Sequence, residues 1–446
     1  MSSDAKAPFP ACNFCLFFMM NEFTLSLLAA AVLPTMLLHL ADALNLRRLS
    51  APPPGEVATA YDAGDLERAR SYTHDRTRLR MLRRTVDLAL LLGFWGLGGF
   101  AWLDTVVAAS ELPAVPQGLL YFGALLSGMA LLDVPFSLYS TFVIEQQYGF
   151  NRRTPRLWLM DAIKGVALAV LLGTPLLVAT LWLFDAAGGT AWLYAWVVMV
   201  GVQLLLRHVA PRWILPLFNR YAPLGEGPLR EAVLRYIERV RFPLRDVYVM
   251  DGSRRSTRAN AFFTGMGKQR RVVLFDTLLD KLTVDEVVAV LAHEIGHFRR
   301  KHLHIGAIVA ALRAGAVLWL LSLLLHEHAW SAALHFETHS LHAAMLAFGM
   351  LYAPLAMLLD IPLHALSRRH EYEADHYAVS THGQPEALIT ALIALTRNNL
   401  GNLAPHPLFV LLHGTHPPLP ERIAAIRAAR RPPHRSKLKF RLRDLV

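Results

Sequence analysis

Seven apolar stretches constrain this 446-residue chain more than any other feature: roughly 22 to 41, 86 to 107, 118 to 142, 162 to 184, 190 to 207, 304 to 325 and 343 to 365. Each is close to the ~20 residues that a helix needs to cross the hydrocarbon of a bilayer. A soluble fold would instead need seven buried core helices with almost no polar face. Composition points the same way, with 54% hydrophobic residues, 18% charged residues and a mean hydropathy of +0.34. The expected fold is mainly α and polytopic, the 190 to 207 stretch being the shortest of its spans.

Basic residues around the spans predict an orientation, because short loops rich in Lys and Arg stay on the cytoplasmic side. The 43–84 segment carries Arg47, Arg48, Arg68, Arg70, Arg76, Arg78, Arg80, Arg83 and Arg84, and Arg152, Arg153 and Arg156 follow the third span. The connections 108–117, 185–189 and 326–342 hold no Lys or Arg. An outside N-terminus and a cytoplasmic C-terminus follow, with 208–303 and the region after the last span in the cytoplasm. The net charge of +11 then belongs beside anionic lipid headgroups. No RNA- or DNA-binding motif occurs, so no nucleic-acid partner is expected. Lys437, Lys439, Arg441 and Arg443 alternate with apolar residues in the tail and suit the same surface. Cys12 and Cys15 precede the first span; this CxxC reads as a disulfide, a lipid attachment site or an incidental pair. Met19 or Met20 reads as an alternative start, and no secretory signal is expected, since the basic residues follow the first apolar run.

The chemistry is carried by His293-Glu294-Ile295-Gly296-His297. On a helix, HExxH places two imidazoles one turn apart, where one metal ion bridges them. Thr283-Val284-Asp285-Glu286 reads as a capping box, so a helix starts there. Val287, Val290 and Leu291 give it an apolar stripe that turns the histidines inward. A catalytic zinc takes a third protein ligand and leaves a position for water. Ser367-Arg368-Arg369-His370-Glu371-Tyr372-Glu373-Ala374-Asp375 supplies the candidate: Glu371 and Asp375, four apart, share a face. On this reading His293, His297 and Glu371 hold one Zn2+ per chain, Asp375 accepts a hydrogen bond from a ligating imidazole, and Glu373 points away into solvent. A plainer reading of the segment is a polar helix outside the membrane whose carboxylates pair with Arg368 and Arg369. The motifs flank the sixth and seventh spans, and a helical hairpin would bring His297 and Glu371 together although 74 residues separate them.

HEIGH, SRRHEYEAD and then His416-Pro417-Pro418-Leu419-Pro420-Glu421-Arg422 together resemble the type I CAAX prenyl protease family of integral-membrane zinc metallopeptidases. Asn260-Ala261-Phe262-Phe263-Thr264-Gly265 is similar to that family's NAxxxG segment. Tyr148-Gly149-Phe150-Asn151-Arg152-Arg153-Thr154, with Asp161 and Lys164 beyond it, is similar to its GFNxxT element. The resemblance implies spans enclosing a water-filled chamber beside a small cytoplasmic α+β metallopeptidase unit. It implies that Asn260 holds the substrate backbone, that His416 and Arg422 stabilise the tetrahedral intermediate, and that the substrate is a membrane-associated protein ending in a prenylated CAAX tail. The Ala- and Arg-rich composition fits a bacterial member, whose compartment would be the inner membrane.

The expected division is a 1–21 extension, a membrane domain over 22–207, a cytoplasmic segment over 208–303, a transmembrane hairpin over 304–365, a second peptidase segment over 366–430 and a basic tail over 431–446. Pro228 to Val240 predicts an amphipathic helix, and Asp246 to Met250 and Arg271 to Phe275 predict strands. Asp133, Arg313 and Asp360 lie within spans, either lining a cavity or, for the last two, pairing across the hairpin. His326, His328, His335, His339 and His342 crowd the outer turn, as a second metal site or an interfacial loop. The mechanism expected is a zinc-activated water deprotonated by Glu294. Two other readings stay open, a heat-shock-type membrane quality-control protease and a non-enzymatic scaffold or channel.

Overall fold

A computed structural model describes residues 21–429 apart from 53–56, 58–59, 244–245, 265–270 and 326. Cys12, Cys15, His326 and the basic tail lie outside the described residues.

Among the described residues six helices are long and apolar enough to span a membrane: Glu22–Arg48, Ala114–Gln147, Pro155–Ala186, Gly188–Phe218, His302–Leu324 and Leu341–His382. The expected second span is broken. Ala63–Gly96 and Gly99–Ala108 meet at 61°, because Gly98 adopts a left-handed conformation with φ 74, open to glycine at little cost. Counting that bent pair as one gives seven. Local signals set several starts: Asn21, Asp62, Thr154 and Ser340 each accept a first-turn amide. Only 6% of the most apolar windows of Ala114–Gln147 and Pro155–Ala186 is buried. These helices therefore stand as a wall more than as members of a close-packed bundle.

The last long helix does more than span. Leu341–His382 runs 42 residues without interruption although it contains Pro354 and Pro362. At 1.5 Å per residue it is about 60 Å long, roughly twice the hydrocarbon thickness. Its second half projects beyond the bilayer as a rod carrying Glu371 and Asp375. Arg313 and Asp360 pair at 2.5 Å across the hairpin, with Tyr352 accepting from the same guanidinium, so the pairing alternative is realised. Asp133 pairs with Arg83 at 2.8 Å.

Residues 221–275 build a four-stranded sheet in the order β1-β2-β4-β3. Its strands are β1 (Tyr221–Pro223), β2 (Asp246–Met250), β3 (Ala261–Thr264) and β4 (Arg271–Phe275). β2 and β4 run parallel, Val247 opposite Val272, and β1 and β3 flank them antiparallel. β2, β4 and the helix Pro228–Arg239 follow the expected pattern. β1 and β3 were not anticipated, since three or four residues are too few to establish a period-2 signal. Val247, Val272 and Leu274 enter one core with Val233 and Tyr236 of Pro228–Arg239 and with Val287, Leu291 and Ile295 of the helix Val284–Arg299. Leu388, Ile389, Ile423 and Ile426 close it. The HExxH helix thus lies between the sheet and the projecting half of Leu341–His382.

Candidate metal centre

The helix Val284–Arg299 starts at the predicted box: the Thr283 hydroxyl accepts from the Glu286 amide, and the Glu286 carboxylate from the Thr283 amide. Nine of its residues are buried, His293 among them. Gly296 has no side chain because none fits. A Cβ there would stand 3.0 Å from the Cα and carbonyl oxygen of Ala374. Gly296 and Ala374, each inside a motif, therefore serve the close crossing that sets one motif against the other.

Across that crossing the two Nε2 atoms of His293 and His297 face each other at 3.1 Å. Glu371 Oε1 lies 3.3 Å from His297 Nε2, and Glu371 Oε2 3.5 Å from His293 Nε2. Three donors held 2.0–2.1 Å from one tetrahedral centre are about 3.3 Å apart, so these separations are those of a ligand set. Two ring nitrogens facing one point, beside a shielded Glu371 Oε2 that makes no hydrogen bond of ordinary geometry, are placed to share a cation between them. His293 reports the same demand. Burial alone would lower its pKa, but the Asp375 and Glu371 carboxylates raise it to about 9. The residues present fit a divalent metal. Among the described residues no other trio of metal-binding side chains converges in this way.

Behind the ligands, Asp375 Oδ1 lies 2.9 Å from His293 Nδ1, holding the ring with its other nitrogen forward. Arg422 grips Asp375 with both arms of its guanidinium, at 2.6 and 2.9 Å, and places its third nitrogen 3.3 Å from Glu371 Oε2. Burial would lower its pKa, but Asp375 reverses the shift and raises it. With its nitrogens committed to two carboxylates, Arg422 acts on the site through them. Glu294, half-buried beside the ligands, has its carboxyl pushed above the usual range by burial. His416 reaches within 3.4 Å of Glu371 Oε1 while its side chain stays 65% exposed, a ring at the open side of the centre. Asn260 precedes β3 at the surface, and its side-chain oxygen accepts from the Ala261 amide, a turn-shaping contact.

Two features escaped the sequence reading. Glu373 is not simply solvated: it accepts from His302 at 3.2 Å and from Arg369 at 2.9 Å. His302, whose Nδ1 lies 3.0 Å from His297 Nδ1 and whose ring stacks on His370 at 3.9 Å, gives the second histidine the support that Asp375 gives the first. Its position five residues past His297, in the turn before the next span, was the available signal. Of the two arginines in the plainer reading of this segment, Arg369 does pair with a carboxylate, that of Glu373, whereas Arg368 does not. It donates to the Gly414 and Val410 carbonyls at 2.7 and 3.2 Å, anchoring the loop that presents His416.

Comparison with known proteins places these observations. A family described as CAAX prenyl protease N-terminal, five membrane helices, matches residues 42–220, and peptidase family M48 matches residues 223–430. The CAAX prenyl protease 1 homolog of Arabidopsis thaliana is 32% identical over 86% of this chain and 93% of its own length. CAAX prenyl protease 1 of Saccharomyces cerevisiae is 35% identical over 70% of this chain and 72% of its own. The crystal structure of S. mikatae Ste24p superposes with a TM-score of 0.86 at 30% identity, covering 91% of this chain and 99% of that one.

Proposed function

This chain belongs to peptidase family M48 and carries its CAAX prenyl protease N-terminal region, and from that premise we propose that it is a zinc endopeptidase cleaving prenylated CAAX-type tails at the cytoplasmic face of a membrane. It is an integral, multi-pass membrane metallopeptidase with a peptide or protein substrate. The metal's identity, the lipid on the substrate, the orientation and the residue roles are the proposal.

His293, His297 and Glu371 would hold the ion, and two imidazoles with one carboxylate are a donor set typical of catalytic zinc. Bound there, zinc supplies polarisation of the scissile carbonyl and a lowered pKa for water. Every other step falls to the chain. Glu294 takes a proton from the attacking water onto its carboxylate as the water oxygen bonds to the carbonyl carbon, then passes that proton to the amine nitrogen as the C–N bond breaks. Its raised pKa suits both halves of that exchange. His416, exposed beside Glu371, donates to the oxyanion as it develops. Arg422 is a positioning residue holding Glu371 and Asp375. Among the described residues β3 pairs only with β4, so its outer edge offers main-chain groups to an extended peptide, with Asn260 at its entrance.

The observation that carries the reading is the convergence of His293, His297 and Glu371, one ligand atom from each lying within 4.8 Å of the others, backed by Asp375. Its test measures zinc per chain and cleavage of a farnesylated CAAX peptide against the unmodified peptide. One zinc with chelator-sensitive cleavage that prefers the farnesylated peptide is expected. Equal turnover of both peptides would remove the prenyl part, and metal-free turnover would remove the whole. The membrane match over residues 42–220 disfavours the quality-control reading, whose proteins usually have fewer spans, and the intact ligand set disfavours an inert scaffold.

A further inference from the structure

Alternate residues of a strand face opposite ways. While Val247, Val272 and Leu274 enter the core, Tyr248, Arg271 and Val273 line the other face of the sheet. Over that face folds the end of the fifth span, where the helix loosens into a π-turn at Ala210–Ile214 that contains Pro211 and is followed by Pro216. A cavity of about 550 Å³ lies between them, lined by Arg212, Arg220, Arg271, Tyr221 and Tyr248 among others, with no Asp or Glu among the described side chains of its wall.

None of the three arginines has an ion-pair partner among the described residues. Arg271 lies over the Tyr248 ring at 4.8 Å, and the shielded Tyr221 hydroxyl makes no hydrogen bond of ordinary geometry. The contrast is next door, where Arg255 is neutralised by Asp161 at 2.8 Å. Three guanidiniums without an ion pair around one concavity, even with the Asp251 carboxylate close by at the Arg220 amide, favour an anion, and the guanidinium fork matches phosphate. Trp213 and Leu217, on the same helix end, are 67% and 49% exposed. Such side chains at the end of a span face the acyl chains, Trp favouring the headgroup level.

We propose that this cavity binds the phosphate headgroup of an anionic phospholipid whose acyl chains lie along Trp213 and Leu217. The charge complementarity identifies phosphate, and the apolar flank continuous with the span identifies lipid as its source. Basic pockets beside spans recognise anionic headgroups in this way.

The test uses the full chain in neutral micelles, with native mass spectrometry counting retained phosphatidylglycerol against phosphatidylcholine. The wild type should retain one phosphatidylglycerol and no phosphatidylcholine. The triple variant Arg212→Gln, Arg220→Gln, Arg271→Gln should lose at least about tenfold in retention with unchanged peptide cleavage in lipid-free micelles. Arg230→Gln, Arg235→Gln, Arg239→Gln removes equal charge from a surface helix and should change nothing. If the triple variant misfolds because Arg271 lies on a strand, the exposed pair Arg212→Gln, Arg220→Gln should still weaken retention several-fold. Retention equal to wild type, an equal loss in the control variant, displacement by inorganic phosphate at matched concentration, or a raised KM for peptide with lipid retention intact would each overturn the proposal, the last in favour of a peptide carboxylate.

Discussion

Two histidine-rich clusters sit at opposite ends of the hairpin formed by His302–Leu324 and Leu341–His382, and they differ in what their ring nitrogens meet. At the outer end His342, His339 and His328 each find a neighbour of their own. His342 bonds Asp104 at 2.5 Å, His339 meets the Ser331 hydroxyl at 3.1 Å and the Leu325 carbonyl at 2.9 Å, and His328 packs on His339. At the inner end His293 and His297 aim their Nε2 atoms at each other and at Glu371. The number of histidines is therefore no guide to a metal. Convergence of ring nitrogens on one carboxylate, with Asp375 and His302 close behind the rings, separates the two ends.

The sharpest attempt to break this contrast removes one histidine from each end. His297→Ala should take bound metal from one per chain to near none and cut cleavage at least about a thousandfold, the several kcal/mol that carbonyl polarisation supplies. His339→Ala should leave metal content unchanged; elemental analysis decides, and metal retained after His297→Ala would dissolve the distinction. Next, Glu294→Gln should lower kcat by about 10² to 10⁴ while metal content stays at one, so turnover close to wild type would free Glu294 from its role. Behind the ligands, Asp375→Asn should weaken metal affinity by about 10- to 100-fold in chelator competition. His302→Phe, which keeps a ring against His370 and removes the contact to His297, should fall at the low end of that range. The smallest effect belongs to the outer end: His342→Phe should cost about 1–3 kcal/mol by stranding Asp104, read as a lower melting temperature in detergent, with no change in metal affinity.

How far the site was legible differs from residue to residue. Thr283 and Glu286 are three apart and their box is a local bond, so the start of the HExxH helix could be read directly. Glu371 and Asp375 were legible as two carboxylates on one face, and the hairpin argument brought them to His297. Glu373 was misjudged because its partners, Arg369 on its own helix and His302 on the neighbouring one, depend on side-chain directions that spacing leaves open. Arg422 drew attention through resemblance, while its grip on both Asp375 and Glu371 emerged only from the packing of Leu419–Ala429 against the long helix. In the fold, the apolar runs located the spans, but the bend at Gly98 and the short strands β1 and β3 left no periodic trace.

What this sequence determined by itself is whatever depends on neighbours along the chain: the lengths of the spans, the capped helix with two imidazoles on one face, and the residue types able to bind a metal. Only the tertiary structure decided which nitrogen meets which oxygen. That assignment rests on a close helix crossing permitted by Gly296 and Ala374, and on a 42-residue rod that stays helical through two prolines. Contacts of about 3 Å between elements more than seventy residues apart are a property of packed surfaces, and no local pattern encodes them.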